Sequence, residues 1–208
     1  NQSKYTSLMQ KGEFYNSWSA LHGNAKIAGI VKAWLSISYV VSKAFCRLKI
    51  SPNLITSLGL VFAILLYLNA ELFWAPILLV LSLFSDGIDG SMAIISAKSS
   101  KWGAILDSIV DRASEIFWML ALYQIGIDLK FLLIIIVIAS TQEYIRARSG
   151  GLGLSEIGIV TIAERPVRAS FVFVLLILVL LDFEFSNLFV YLWLVFQIVS
   201  FAMLIKHV

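Results

Sequence analysis

Four aspartates define the chemistry open to this chain. Asp86 and Asp89 stand three residues apart, and Asp107 and Asp111 four apart, within otherwise apolar stretches. Either spacing places a pair on one face of a helix. A carboxylate inside a membrane helix costs at least ~2.5 kcal/mol, so such acids mark function by default. Only the short basic turn from Ala97 to Lys101 separates the two stretches, which makes them antiparallel neighbours whose acidic faces can meet. Four carboxylates converging in a low dielectric repel strongly and stay ionised together only with cations among them. Oxygen ligands alone select a hard divalent ion, Mg²⁺ first, then Mn²⁺ or Ca²⁺. Four acids can hold one or two ions, and two suit the clamping of a diphosphate. A competing reading pairs the aspartates with Arg112, Lys98 and Lys101 as buried salt bridges. Three bases, two of them in a loop, do not account for the spacing.

Gly87, Gly90 and Gly103 lie beside the aspartates, and Ala93 follows Gly90 by one turn. Glycine weakens a helix unless something must come close to the backbone. A nucleotide lying against the metal site is one such thing; helix packing through small residues is the other.

These residues need a membrane to hold them. Of 208 residues, 60% are hydrophobic and 14% charged, far from the composition of a soluble domain. A single cysteine, Cys46, excludes an internal disulfide and a cysteine-rich zinc site. His22 and His207 lie near opposite ends, which argues against a histidine metal cluster. No nucleic-acid partner is expected. The opening residues lack an apolar core, so no secretory signal peptide is expected either.

From about Asn16 to Val41, Trp18, Leu21, Ile27, Ile30, Val31, Trp34 and Leu35 recur at mostly helical spacing, with Lys26 and Lys32 between them. The pattern predicts an amphipathic helix lying in the membrane interface, ahead of a membrane body; a soluble helix packed on that body is the alternative. Six apolar segments follow, at about 51–70, 74–95, 102–125, 130–146, 166–181 and 186–205. Ser51 is placed to cap the first and Pro52 to open it. Each is near the ~20 residues that cross a bilayer. The fold expected is therefore all-α and integral to the membrane: six transmembrane helices in a domain over 51–208, preceded by a juxtamembrane segment over 1–50.

With a cytoplasmic N-terminus, the inner segments hold 14 of the 16 basic residues; Arg112 lies within a helix and only Lys130 falls outside. The outer turns carry Glu71, Asp128, Asp182 and Glu184. This asymmetry predicts a multi-pass protein of the cytoplasmic membrane with both termini inside and the aspartates at the cytoplasmic side. Four arginines then gather at that side: Arg146 and Arg148 at the end of the fourth segment, and Arg165 and Arg168 at the start of the fifth. The glycine-rich stretch Gly150-Gly151-Leu-Gly153 lies between the pairs and is expected to turn. They can form a forked anion site for a phosphorylated substrate, with Lys101 as a further base, or simply enforce topology.

Asp86-Gly-Ile-Asp89-Gly90-Ser-Met-Ala93, followed by Gly103-Ala-Ile-Leu-Asp107-Ser-Ile-Val-Asp111, resembles the signature of the CDP-alcohol phosphatidyltransferase family. That signature reads D-x-x-D-G-x-x-A-R, a spacer, then G-x-x-x-D-x-x-x-D. The likeness runs over about 40–208, and Pro52-Asn53-Leu-Ile-Thr56 is similar to the family too. In one place the chain departs: Ile94 stands where the family has arginine, a charge that Lys98 could supply instead.

The resemblance implies an enzyme of phospholipid biosynthesis with Mg²⁺ or Mn²⁺ as cofactor, two ions in all, and a homodimeric assembly. Asp86, Asp89 and Asp107 would hold the metal, with Asp111 sharing one ion and acting as general base toward the acceptor hydroxyl. Gly90, Ala93, Gly103, Asn53 and Thr56 would receive the cytidine of CDP-diacylglycerol. The Tyr-x-x-Ala-Arg and Glu-Arg-Pro-x-Arg arrangements are similar to phosphatidylinositol-phosphate synthases and phosphatidylglycerophosphate synthases. The acceptor implied is inositol phosphate or, as the alternative, glycerol 3-phosphate, held by Arg146, Arg148, Arg165, Arg168 and Lys101. A function of another class, ion-coupled transport, would also use intramembrane acids. It would spread polar groups across the whole bilayer depth, whereas these lie at one end.

Overall fold

In the computed structural model the described residues are 8–153, 160–183 and 186–207. Lys4 and Glu184, which entered the charge asymmetry, lie outside them. Among the described residues the chain is all-helical, with α1 (Lys11–Leu21), α2 (Gly29–Arg47), α3 (Pro52–Leu68), α4 (Ala75–Ile95), α5 (Lys101–Gln124), α6 (Leu129–Gly151), α7 (Arg165–Leu180) and α8 (Ser186–Ile205). Each of the six apolar segments forms one helix, α3 to α8. Pro52 opens α3, and Ser51 Oγ accepts from the Leu54 N–H at 3.3 Å, as an N-cap should.

By length and composition, α4 and α8 can each cross a membrane, and α2 with α3 can do so as a pair bent by 115°. The turn between that pair carries Lys49 in the left-handed region, φ 60°. α3 and α7, with 17 and 16 residues, are short for a hydrocarbon core. α5 and α6 carry several charged residues each, among them Asp107, Asp111 and Glu115 on α5 and Lys130, Glu143 and Arg146 on α6.

Two sequence expectations shift. The single amphipathic helix expected over about 16–41 is two helices, broken where Gly23 and Asn24 adopt φ 64° and 61°, a left-handed pair that no helix continues through. The fourth apolar segment does not turn at Gly150-Gly151. α6 runs on to Gly151 with Leu152 as its C-cap, and Gly153, the last residue of the glycine-rich stretch, takes φ 80°.

The chain divides into two compact units. The first comprises residues 1–60 and 84–111. In it a stripe of α2 spaced by four residues, Trp34, Ser38, Ser42 and Cys46, lies along α4. Ser38 Oγ and Ser91 Oγ are 2.5 Å apart, the Ser42 hydroxyl donates to the Ile88 carbonyl at 3.2 Å, and Cys46 Sγ lies 3.9 Å from the Met92 carbonyl. Small side chains let the two backbones approach and satisfy each other, the usual adhesive where lipid removes the hydrophobic drive. α2 also exposes Ile30, Ile37 and Val40. α1 closes the end of α4: Phe14 is fully buried with Leu35, Tyr39 and Ile95, and Ile94 packs against the same cluster. The Met9 N–H donates to the Ile95 carbonyl at 3.4 Å. The position where the motif departs from the family is thus an apolar seat beneath α1.

The second unit comprises residues 61–83 and 112–208. Its core includes Trp118, Leu122, Leu132, Ile135, Leu175 and Trp193, with Phe171 stacked on Trp193 at 5.6 Å. α8 packs on both α6 and α7. Within this apolar mass, buried Gln142 donates to Thr161 Oγ1 at 2.9 Å and to Ser200 Oγ at 3.0 Å, and accepts from Gln197 at 3.1 Å.

Candidate active site

α4 delivers Asp86 and Asp89, and α5 delivers Asp107 and Asp111, all in the first unit. One carboxylate oxygen from each of Asp86, Asp107 and Asp111 lies within 4.8 Å of the others, and the three are half-buried. That separation accommodates one hard cation among them, and the donor set is purely carboxylate. Asp89 does not join this group. It is 5% exposed and accepts a 2.5 Å hydrogen bond from the Thr56 hydroxyl. Thr56 comes from α3, one turn beyond Asn53. Three helices therefore meet at the acids.

The residues expected at a nucleotide behave differently from one another. Gly90 is exposed, and nothing lies within 4 Å of where its Cβ would stand. A Cβ on Gly103 would meet Ser100 Oγ at 3.1 Å and Asn53 Oδ1 at 3.3 Å, so Asn53 and Gly103 are neighbours. Ala93 is half-buried. Gly87 has a packing reason instead: a Cβ there would lie 2.3 Å from Trp34 Cζ2. Lys98 and Lys101 are exposed.

The arginines belong to the second unit, and the structure supplies them with acids. Arg146 forks onto Glu164 with hydrogen bonds of 2.7 and 2.5 Å and reaches Glu143 at 3.3 Å. Arg168, 1% exposed, donates to Glu115 from Nε at 3.1 Å and Nη2 at 2.8 Å. Arg112 pairs with the same Glu115 at 2.8 Å, and Arg165 Nε lies 3.9 Å from it with its guanidinium 5.3 Å above the Trp118 ring. Arg148 is exposed. Burial works against the ionised form of Glu164, but hydrogen bonds from Arg146 and Thr161 outweigh it and hold its pKa below the usual carboxylate range.

Sequence reasoning found the arginines and missed Glu115 and Glu143 as their partners. Two local signals were available. Glu115 continues the four-residue spacing of Asp107 and Asp111, and Glu143 precedes Arg146 by one turn.

Comparison with known proteins follows the same lines. Residues 49–203 match the family model described as CDP-alcohol phosphatidyltransferase. The chain is 32% identical over 144 residues to a phosphatidylinositol phosphate synthase of Cutibacterium acnes, covering 64% of this chain and 70% of that one. Its fold is like that of the Mycobacterium tuberculosis phosphatidylinositol phosphate synthase crystallised with CDP-DAG bound. The TM-score is 0.68 at 23% identity, over 82% of this chain and 92% of that one. A second crystal structure of that protein, in complex with manganese and citrate, gives a TM-score of 0.68 at 22% identity, over 81% and 87% of the two chains.

Proposed function

Because this chain belongs to the CDP-alcohol phosphatidyltransferase family, we propose that it transfers the phosphatidyl group of CDP-diacylglycerol to a phosphorylated alcohol, inositol phosphate, and releases CMP. The observation that carries the proposal is the convergence of Asp86, Asp107 and Asp111 within 4.8 Å, beside a glycine, Gly90, with open space over its Cβ position. Asp86, Asp107 and Asp111 would hold one ion, Mg²⁺ or Mn²⁺, among them, and Asp89 would share in holding a second. Bound there, a hard divalent ion neutralises the carboxylates and polarises a diphosphate. Thr56 anchors Asp89, and Asn53, Gly90, Ala93 and Gly103 receive the cytidine. Asp111 accepts the proton of the acceptor hydroxyl as that oxygen attacks the lipid-side phosphorus and CMP departs. Arg146, Arg148, Arg165, Arg168 and Lys101 supply the positive charge that an acceptor phosphate requires. Inositol phosphate is favoured as acceptor by the name of the Cutibacterium acnes relative.

The catalytic domain in this reading is 51–208, with 1–50 a juxtamembrane segment. Six helices, α3 to α8, cross the cytoplasmic membrane with both termini and the aspartates inside; the lysine and arginine asymmetry supports it. A homodimer is the expected assembly.

Purified protein reconstituted with labelled CDP-diacylglycerol, Mn²⁺ and inositol phosphate should release CMP in proportion to lipid product. Absence of CMP with every phosphorylated alcohol offered, glycerol 3-phosphate included, would rule the reading out.

A further inference from the structure

Ile94 stands where the family has arginine, and its neighbours are the apolar side chains that seat α1. On α4 it shares a face with Gly87 and Ser91, which precede it by seven and three residues. That face meets α2: Trp34 covers Gly87, and Ser38 Oγ lies 2.5 Å from Ser91 Oγ. At the end of the same face Ile94 packs on the cluster of Phe14, Leu35, Tyr39 and Ile95. Asp86, Asp89, Gly90 and Ala93, at spacings of three and four residues, line a different face. The α1 seat and the nucleotide residues therefore share one turn of α4 and lie on different sides of it.

The last turn of α4 is completed from outside the helix. Ala97 takes φ 51°, a left-handed conformation that costs an alanine more than a glycine. There the Ala97 N–H donates to the Ile94 carbonyl at 3.1 Å, and the Lys98 N–H to the Ala93 carbonyl at 3.0 Å. These two bonds close the helix as a Schellman motif. The next carbonyl, that of Ile95, accepts from the Met9 N–H at 3.4 Å. Met9 is tied to α2 as well. Its carbonyl accepts from the Tyr39 hydroxyl at 3.1 Å, and that hydroxyl accepts from Lys43 Nζ at 2.8 Å. Phe14, fully buried, anchors α1 beside them with its ring 5.6 Å from that of Tyr39.

We infer that α1 is a brace on the end of α4, with Phe14 and Ile94 as positioning residues that hold Gly90 and Ala93 in place for the CDP-lipid. The inference rests on the reading of Gly90 and Ala93 as nucleotide residues given above. Two accounts of Ile94 have consequences of opposite sign. If residue 94 were an arginine site that has merely lost its charge, restoring arginine should tighten CDP-lipid binding. If it is a socket for α1, arginine sets a charge against buried apolar side chains, lifts α1 and weakens that binding.

The test is steady-state kinetics of the full chain with CDP-diacylglycerol, Mn²⁺ and inositol phosphate. Ile94→Arg is expected to raise the CDP-diacylglycerol KM roughly tenfold, while the acceptor KM stays within about twofold of wild type. Phe14→Ala should act in the same direction. The double variant should lose less than the product of the two single losses, because arginine enters the space that the ring has left. A lowered or unchanged CDP-diacylglycerol KM in Ile94→Arg overturns the inference. Equal rises in both KM values, or strictly multiplicative losses in the double variant, overturn it too. Should Ile94→Arg not fold, Ile94→Ala carries the test with an expected rise of roughly threefold, and an unmoved CDP-diacylglycerol KM there is equally fatal. A wild type that releases CMP while the variants show no such split leaves the proposed function standing and removes the brace. A wild type that releases none takes both down.

Discussion

The indole of Trp34 occupies the space above Gly87 so closely that a Cβ on residue 87 would stand 2.3 Å from Cζ2. The same indole meets Phe84 edge-on at 5.6 Å between centroids. Trp34 thus wedges against α4 on the turn that carries Asp86 and Asp89. Alanine at 87 would gain ~1 kcal/mol of helix propensity, but overpacking a rigid ring costs typically ~1–3 kcal/mol. The clash wins. Gly87→Ala should lower the melting temperature in detergent, and adding Trp34→Leu should restore part of the loss. Additive losses in the double variant would show that the two residues are not coupled.

Thr56 tests the anchoring of Asp89. Thr56→Ser keeps the hydroxyl that donates at 2.5 Å, and Thr56→Val removes it at similar volume. Loss of a hydrogen bond to a charged group is worth ~1.5–3 kcal/mol. Thr56→Val should therefore need more Mn²⁺ for half-maximal activity, by roughly tenfold or more, while Thr56→Ser stays near wild type. Identical Mn²⁺ titrations for the two variants would separate Thr56 from the metal site.

Asp111 is proposed to do two things, and they can be read apart. Asp111→Asn should cut kcat by about 10²–10⁴, the usual worth of a general base. Mn²⁺ binding, measured by calorimetry without substrate, should persist on Asp86 and Asp107 with lower affinity. EDTA should abolish wild-type activity, and Mn²⁺ should restore it. An Asp111→Asn variant that turns over at the wild-type rate would remove Asp111 from the proton transfer.

Acid stability follows from Glu164. Its folded pKa lies below the ordinary carboxylate value, because hydrogen bonds from Arg146 and Thr161 outweigh the opposing effect of burial. A depressed folded pKa stabilises the fold fully above the unfolded value of ~4.3 and ceases to do so as pH falls through the folded value. Wild-type melting temperature should therefore fall as pH drops below ~4.3. Glu164→Gln should be less stable at pH 7 and show a shallower acid decline. Parallel acid profiles for the two proteins would show that the pair contributes nothing.

Much of this was readable from the chain, and the remainder was hidden for a physical reason. Ser51 and Pro52 mark the start of α3 because capping is local chemistry. The spacing of Asp107 and Asp111 identifies a shared helical face because periodicity is local too. Nothing local links Thr56 to Asp89, Trp34 to Gly87 or Glu115 to Arg168, which lie 33, 53 and 53 residues apart in sequence. Those pairings depend on which helix lies beside which. The arginines therefore read as an open anion fork, when Arg168 in fact sits inside a buried ion pair. The break at Gly23-Asn24 is masked in the sequence by apolar residues that keep helical spacing on either side of it.

The first unit is assembled from two stretches of chain, 1–60 and 84–111, with residues of the other unit between them. This has a consequence for biogenesis. Phe14, Ser38 and Ser42 complete their packing only on residues from Ile88 onward, so α1 and α2 are made before their partners exist. At roughly 5–20 residues per second of synthesis, they must wait several seconds. During that interval the serine stripe of α2 faces no mate. A ribosome-stalled chain ending near residue 80 should expose it to cysteine or hydroxyl-directed labelling and to insertion factors, and one ending beyond residue 111 should not.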